Sequence, residues 1–239
     1  MRLNSYIAKS GITSRRKADE LIFNGDIIVN NSVIKNPATK IDINKDTVFY
    51  KNKILKLETY KYFVFNKPLN VVTTVKDPQN RKTVVDFFKN ENVRLFPVGR
   101  LDYDTTGLLF MTNDGEFSNK LMHPSKNKNK VYIVTVDKVL TNKEIVIFRN
   151  GIKIDNKITS NSNIKFLRKT KKLFVYKVII HEGMNRQIKK MFKFFGINVI
   201  KLKRVEIAGV KLGNLKEGEY RILSKFEYNK LMEIKWECL

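Results

Sequence analysis

"GRLDYDTTGLLFMTNDG", residues 99–115, sets three carboxylates (Asp102, Asp104, Asp114), three threonines and three glycines around an apolar run. The 239-residue chain that holds it carries 47 Lys and Arg against 23 Asp and Glu, a formal charge of +24. Acid gathered in so basic a chain admits three readings. A calcium loop would use Asp102, Asp104, Thr106 and Gly107 as its first ligands and turn, but Asn113 stands where a bidentate glutamate should close the coordination. The preceding FPVGR also puts Pro and Gly where an incoming helix should be. A D-x-D-x-T phosphotransfer loop needs an apolar strand running into Asp102, and Gly99 and Arg100 interrupt it. The third reading is a single aspartate acting as nucleophile or base, partly buried and kept ionised by a cation such as Arg100 or Lys189. GLLFMTND then anchors the loop as a strand or helix start, and residues 113–115 form a turn. The residues alone leave this reading and a capped loop with incidental acids both open.

The charge points outward to a polyanion. Residues 1–60 hold 11 basic and 6 acidic side chains and the remainder 36 and 17, so both parts can touch nucleic acid. RRK (15–17) and KNKNK (126–130) cluster the cations, although a lysine- and asparagine-rich composition accounts for part of the excess. An apolar fraction of 42% with 16 phenylalanines suffices for packed cores. No apolar run approaches the ~20 residues of a membrane span, and no apolar stretch precedes the first charges as in a secretory signal. A single cysteine, Cys238, and two histidines without metal spacing, His123 and His181, leave no disulfide, no metal and no cofactor to expect. The expectation is a cytoplasmic protein, monomeric because no exposed apolar stripe asks for a partner.

Residues 1–58 read as a small module. Leu3, Ile7 and Ala8 form a short helical stripe ending at Gly11; Ser14 caps a second helix with Ala18, Leu21 and Ile22 inward and Gly25 as its stop. IIVN, an Asn-Asn turn, SVIK and TVFY read as short strands, and KNKILK as a linker. Arg15, Arg16 and Lys17 fall in the first turn of the second helix, where the macrodipole opposes cations unless an anion sits among them. A docked phosphate would turn that cost into a site. Residues 59–239 carry longer apolar strands (KYFVFNKP, VYIVTVD, LFVYKVIIHEG, NVIKLKRVEI) and a helix over 186–195. There Ile188, Met191, Phe192 and Phe195 share a face, Asn185 is the expected N-cap and Gly196 the stop. Lys189 lies at the edge of that stripe; Lys190 lies opposite, in solvent. The class is α+β, with a mixed, largely antiparallel sheet flanked by helices in the second part.

GRLD-x-x-T-x-GLL-x-x-TNDG resembles the central motif of the ribosomal pseudouridine synthases of the RsuA group. RLNSYIAKSGITSRRKADELIFNGDIIVN resembles the ribosomal-protein-S4-like RNA-binding module that precedes their catalytic domain. FNKPLNVVTT, KVYIVTV, EGMNRQIKKMF and LKEGEYRIL follow in the family's order, so the resemblance spans nearly the whole chain. It implies isomerisation of a uridine in ribosomal RNA to pseudouridine without metal or cofactor. Asp102 matches the essential carboxylate, Tyr132 the tyrosine beside the target base, and Lys189 the cation that pairs with the catalytic aspartate. Arg100 and Arg186 border the site; Lys67, in a family motif, would contact RNA or else be an ordinary surface lysine; and Arg2, Arg15, Arg16 and Lys17 would grip RNA phosphates. Met184 stands where a cation is more usual, Lys189-Lys190 replaces Arg-Arg, and Asn31 replaces a turn glycine. The NRQ tripeptide is more similar to members acting on large-subunit RNA. The rivals are a non-catalytic RNA-binding protein and a nucleoside hydrolase with Asp104 as second carboxylate; +24 is excessive for the small neutral substrate of the latter.

Overall fold

A computed structural model describes residues 1–123 and 128–233. Cys238 and the first residues of the KNKNK cluster, Lys126 and Asn127, lie outside them. The chain divides into two compact units, residues 1–61 with 90–95, and residues 62–89 with 96 onward.

In the first unit α1 (Leu3–Lys9) and α2 (Arg15–Phe23) pack on a four-stranded antiparallel sheet. Its strands are β1 (Ile27–Val29), β2 (Ser32–Val33), β3 (Val48–Tyr50) and β4 (Lys53–Ile54), in the order β2-β1-β3-β4. Leu3, Ile7, Ala18, Ile22, Ile27 and Val48 are wholly buried in its core. Asn30 and Asn31 have φ of 48° and 67°, so the side chain standing in for a turn glycine sits in the left-handed region that asparagine tolerates. KNKILK is not the expected linker. Lys51 and Asn52 adopt φ of 49° and 58° and close a second hairpin, whose Leu55 returns to the core. A Lys-Asn pair reads as polar spacer in sequence, yet it satisfies the same turn geometry.

The second unit is built on one mixed sheet in the order β11-β12-β8-β13-β7-β5-β15. Its strands are β5 (Tyr62–Lys67), β6 (Phe96–Val98), β7 (Thr106–Thr112), β8 (Lys130–Val136), β11 (Asn163–Thr170), β12 (Leu173–Ile180), β13 (Val199–Ile207), β14 (Val210–Lys211) and β15 (Tyr220–Ile222). β6 and β14 pair at the sides of β7 and β13, and β9 (Lys153–Ile154) with β10 (Lys157–Ile158) forms a separate hairpin. Every pairing is antiparallel except β13 with β7. The helices are α3 (Gly115–Met122), α4 (Asn142–Asn150), α5 (Gln187–Phe194) and α6 (Lys225–Met232). This is the α+β arrangement expected: a small helix-and-strand domain, then a mixed sheet flanked by helices.

Two local expectations change. GLLFMT is the strand of the two forms expected, buried along its whole length, but Asp114 after it is a helix N-cap rather than part of a free turn. Its Oδ1 accepts from the Glu116 and Phe117 amides (2.9 and 3.2 Å), which satisfies two orphan donors of α3. Before α5 the N-cap is Arg186, not Asn185, held at φ 52° without a side-chain cap. The turn is closed instead by Gln187, which accepts from the Met184 amide (3.0 Å) and donates to Glu182 (2.7 Å).

Candidate active site

The loop ahead of β7 is fixed through its backbone from several directions. Thr73 Oγ1 donates to the Leu101 carbonyl (2.7 Å) and accepts from the Leu101 amide (3.3 Å). The Thr105 amide donates to the Asp102 carbonyl (3.1 Å), making 102–105 a turn, and the Asn70 amide donates to Tyr103 (3.0 Å). Below it lies Lys67. Its side chain is 0% exposed, and Nζ donates to the carbonyls of Thr105 and Pro68, each at 2.9 Å. Burial pushes this ammonium down to about 8, against the opposing pull of Asp102, Asp104 and Glu217. The expectation that Lys67 contacts RNA directly therefore does not fit; it braces the loop and contributes its charge from beneath.

Asp102 is half-buried at the first position of the turn, and among the described residues none donates to its carboxylate. It opens onto a cavity of about 250 Å³. Arg100, Tyr132, Arg186 and Ile188 also line that cavity, as do Lys130, Leu202 and Arg204. Tyr132 projects from β8, buried to 7% exposure, with its residue directly opposite Arg204 of β13. Arg100 is exposed at the rim.

Lys189 sits where the helical stripe placed it, half-buried near the loop, but its partner differs from the expected one. Its ammonium bonds Asp104, not Asp102, and Arg186 Nη2 reaches the other oxygen of Asp104 at 3.2 Å. Burial alone would raise the Asp104 carboxyl, yet Lys189 and then Arg186 outweigh it and hold it below the usual carboxylate range. Asp104 is two residues further along the exposed side of the turn, within easier reach of a helix side chain than the inward-facing Asp102. Lys190 is not simply solvated either, because it pairs with Asp155 of the β9–β10 turn.

In the first unit, Arg15, Arg16 and Lys17 are exposed in the opening turn of α2, whose Ser14 cap accepts from the Lys17 amide (3.3 Å). Of the two acids that follow them and could offset them, Asp19 is engaged by Asn4 Nδ2 at 2.7 Å and Glu20 is exposed. Arg2 is exposed at the N-cap of α1.

Residues 61–194 match the RNA pseudouridylate synthase family and residues 1–47 the S4 domain. The chain belongs to the RNA pseudouridine synthases. Ribosomal large subunit pseudouridine synthase B of Bacillus subtilis (strain 168) is 40% identical over 232 residues, covering 96% of this chain and 95% of that protein. Dual-specificity RNA pseudouridine synthase RluF of Escherichia coli (strain K12) is 36% identical over 239 residues, covering 98% of this chain and 79% of its own. A crystal structure of a pseudouridylate synthase superposes with TM-score 0.70 at 30% identity, over 97% of this chain and 99% of that one.

Within this synthase the sequence reading missed Arg204. It is 4% exposed and lines the cavity, with Nε donating to the Leu108 carbonyl at 2.8 Å. A signal was present: in NVIKLKRVEI, period-two alternation puts Arg204 on the same face as Leu202, inward, while Lys201 and Lys203 point the other way. Gly107, at φ 107°, allows the close approach of this strand; a Cβ there would lie 2.1 Å from the Arg204 carbonyl oxygen.

Proposed function

We propose that this synthase isomerises a specific uridine of ribosomal RNA, in the large subunit, to pseudouridine, with Asp102 as the essential carboxylate. One observation carries the reading: a carboxylate with no donor among the described residues faces a cavity beside a buried tyrosine, inside a ring of cations. A small pocket of this kind fits one unstacked base. Extruding that base costs a few kcal/mol unless the RNA is already looped, and phosphate contacts offset it. Tyr132 gives the base a face to lie against, and Asp102 meets the ribose at C1′ or C2′. Lys189 supplies positive charge to the loop through Asp104. Arg100 and Arg186 hold phosphates at the rim, and residues 1–58, through Arg2, Arg15, Arg16 and Lys17, grip the surrounding RNA fold. Residues 59–239 form the catalytic part.

Placement in the RsuA group and on the large subunit rests on the RLD loop, the NRQ tripeptide and the similarity to the Bacillus protein named for that subunit. We further propose a cytoplasmic monomer that needs neither metal nor cofactor, because the isomerisation is redox-neutral and transfers no group to an outside acceptor.

The test is incubation of purified protein with large- and small-subunit RNA transcribed in vitro, followed by pseudouridine mapping. One new site in the large-subunit RNA is expected with wild type and none with Asp102→Asn. Modification confined to the small-subunit RNA would overturn the subunit assignment. Tight RNA binding without any modification would leave a binding protein.

A further inference from the structure

The cavity beside Asp102 contains more buried cation than the fold uses. Arg204 spends one of its five N–H donors on the Leu108 carbonyl. Its Nη2 is sealed from solvent and has no hydrogen-bond partner among the described residues. Lys130, on the next strand, also lines the cavity, and among the described residues its ammonium bonds only the backbone carbonyls of Lys128 (3.3 Å) and His181 (3.2 Å). Burial and then the nearby Arg204 guanidinium push Lys130 below the ordinary lysine value, so two cations share one poorly hydrated corner. A purely structural arginine at this position would account for the Leu108 bond and for nothing else. A buried donor left unpaired is costly, and such groups call for an explanation.

Register supplies one. Arg204 and Tyr132 are directly opposite on β13 and β8, so their side chains leave the same face of the sheet about 5 Å apart at Cβ. A planar base lying on the Tyr132 ring presents its edge toward Arg204. We propose that Arg204 donates from the part of its guanidinium that lines the cavity to a carbonyl oxygen of the target uracil, O2 or O4, and stabilises the charge that base acquires when its glycosidic bond breaks. This rests on the synthase reading above. When C1′–N1 breaks, its electron pair stays on the base, which becomes an anion with charge on N1, O2 and O4. When C5 then bonds to C1′, the C5 proton leaves and N1 takes one up, and the anion is discharged. A fixed, desolvated guanidinium binds that anion more strongly than the neutral base, which is the condition for lowering a barrier. Arg204 is then a catalytic residue on the base side, opposite Asp102 on the sugar side.

The experiment is a single-turnover cycle on a synthetic RNA spanning the modified site, with uridine, 2-thiouridine or 4-thiouridine at the target. Sulfur accepts hydrogen bonds weakly, so wild type should slow on one of the two thio RNAs, with unchanged RNA affinity. Arg204→Gln should slow the uridine reaction on the order of 100-fold, as for loss of one preorganised donor. It should then show little further loss on the sensitive thio RNA; Arg204→Lys should recover part of the rate. Equal wild-type rates on all three RNAs would overturn the proposal, whether or not the variants fold. So would a variant whose thio sensitivity equals that of wild type, since a structural arginine leaves that ratio unmoved. If wild type forms no pseudouridine on the unmodified RNA, it is the synthase reading that fails.

Discussion

Lys67 places an ammonium group where a hydrophobic core would ordinarily refuse one, and the carbonyls of Thr105 and Pro68 make it tolerable. Its folded value near 8 lies below the ordinary 10.5, so the unfolded chain binds the extra proton between those limits. Stability contributed by this residue therefore rises as pH goes from about 8 to 10.5. Denaturant titrations of wild type and Lys67→Met across that range should show wild type gaining relative to the variant; a constant difference would contradict the burial of charge. Gly107 makes the opposite kind of demand, for the absence of a side chain. Gly107→Ala combines strain at φ 107° with a clash against the Arg204 backbone, and urea unfolding should show a loss above about 2 kcal/mol. Neither residue announced its role in the sequence. Lys67 looked like any surface lysine in FNKP, because nothing local says that a strand end will be roofed by a loop 38 residues away.

Among the elements, the loop of 99–105, β7 and α5 form the working unit, and their legibility was uneven. Strong periodicity exposed α5 and the long strands, since apolar residues at fixed spacing depend only on local geometry. Pairings between elements were hidden. The helical stripe put Lys189 at its edge and the family resemblance implied Asp102 as its partner, whereas the exposed Asp104 takes both Lys189 and Arg186. Asp104→Ala should change stability by less than about 1 kcal/mol, as for a half-exposed pair. The same variant frees two cations, Arg186 at the cavity and Lys189 beside it on α5, so RNA affinity should rise and fall more steeply with added salt; filter binding at several salt concentrations checks both. The α2 N-terminus presents three exposed cations, with Asp19 bonded to Asn4 and Glu20 exposed. Arg15→Ala with Arg16→Ala should weaken RNA binding and lower the slope of log affinity against log salt by about 1 per lost phosphate contact. An unchanged slope would place those arginines in bulk water. The KNKILK hairpin shows why short elements escape such reading: two residues in a left-handed turn carry no periodicity.

At the scale of the whole molecule, a net +24 and two compact units, each with its own core, describe a protein that grips a large polyanion while acting on one base. The resemblance of the seventeen residues of the opening motif to the synthases, with the motifs around it, carried most of that conclusion; read as residues alone they left two readings open. What they could not carry is the floor of the cavity, where Tyr132, Lys130 and Arg204 meet only because β8 and β13 pair in one register. The account stands on Asp102 acting on ribosomal RNA, and the most direct measurement is a pseudouridine map of ribosomal RNA from cells lacking this protein. Those cells would be complemented with wild type or with Asp102→Asn. Loss of one large-subunit site, restored by wild type and not by the variant, is the predicted result. An unchanged map, or restoration by both forms, would contradict it.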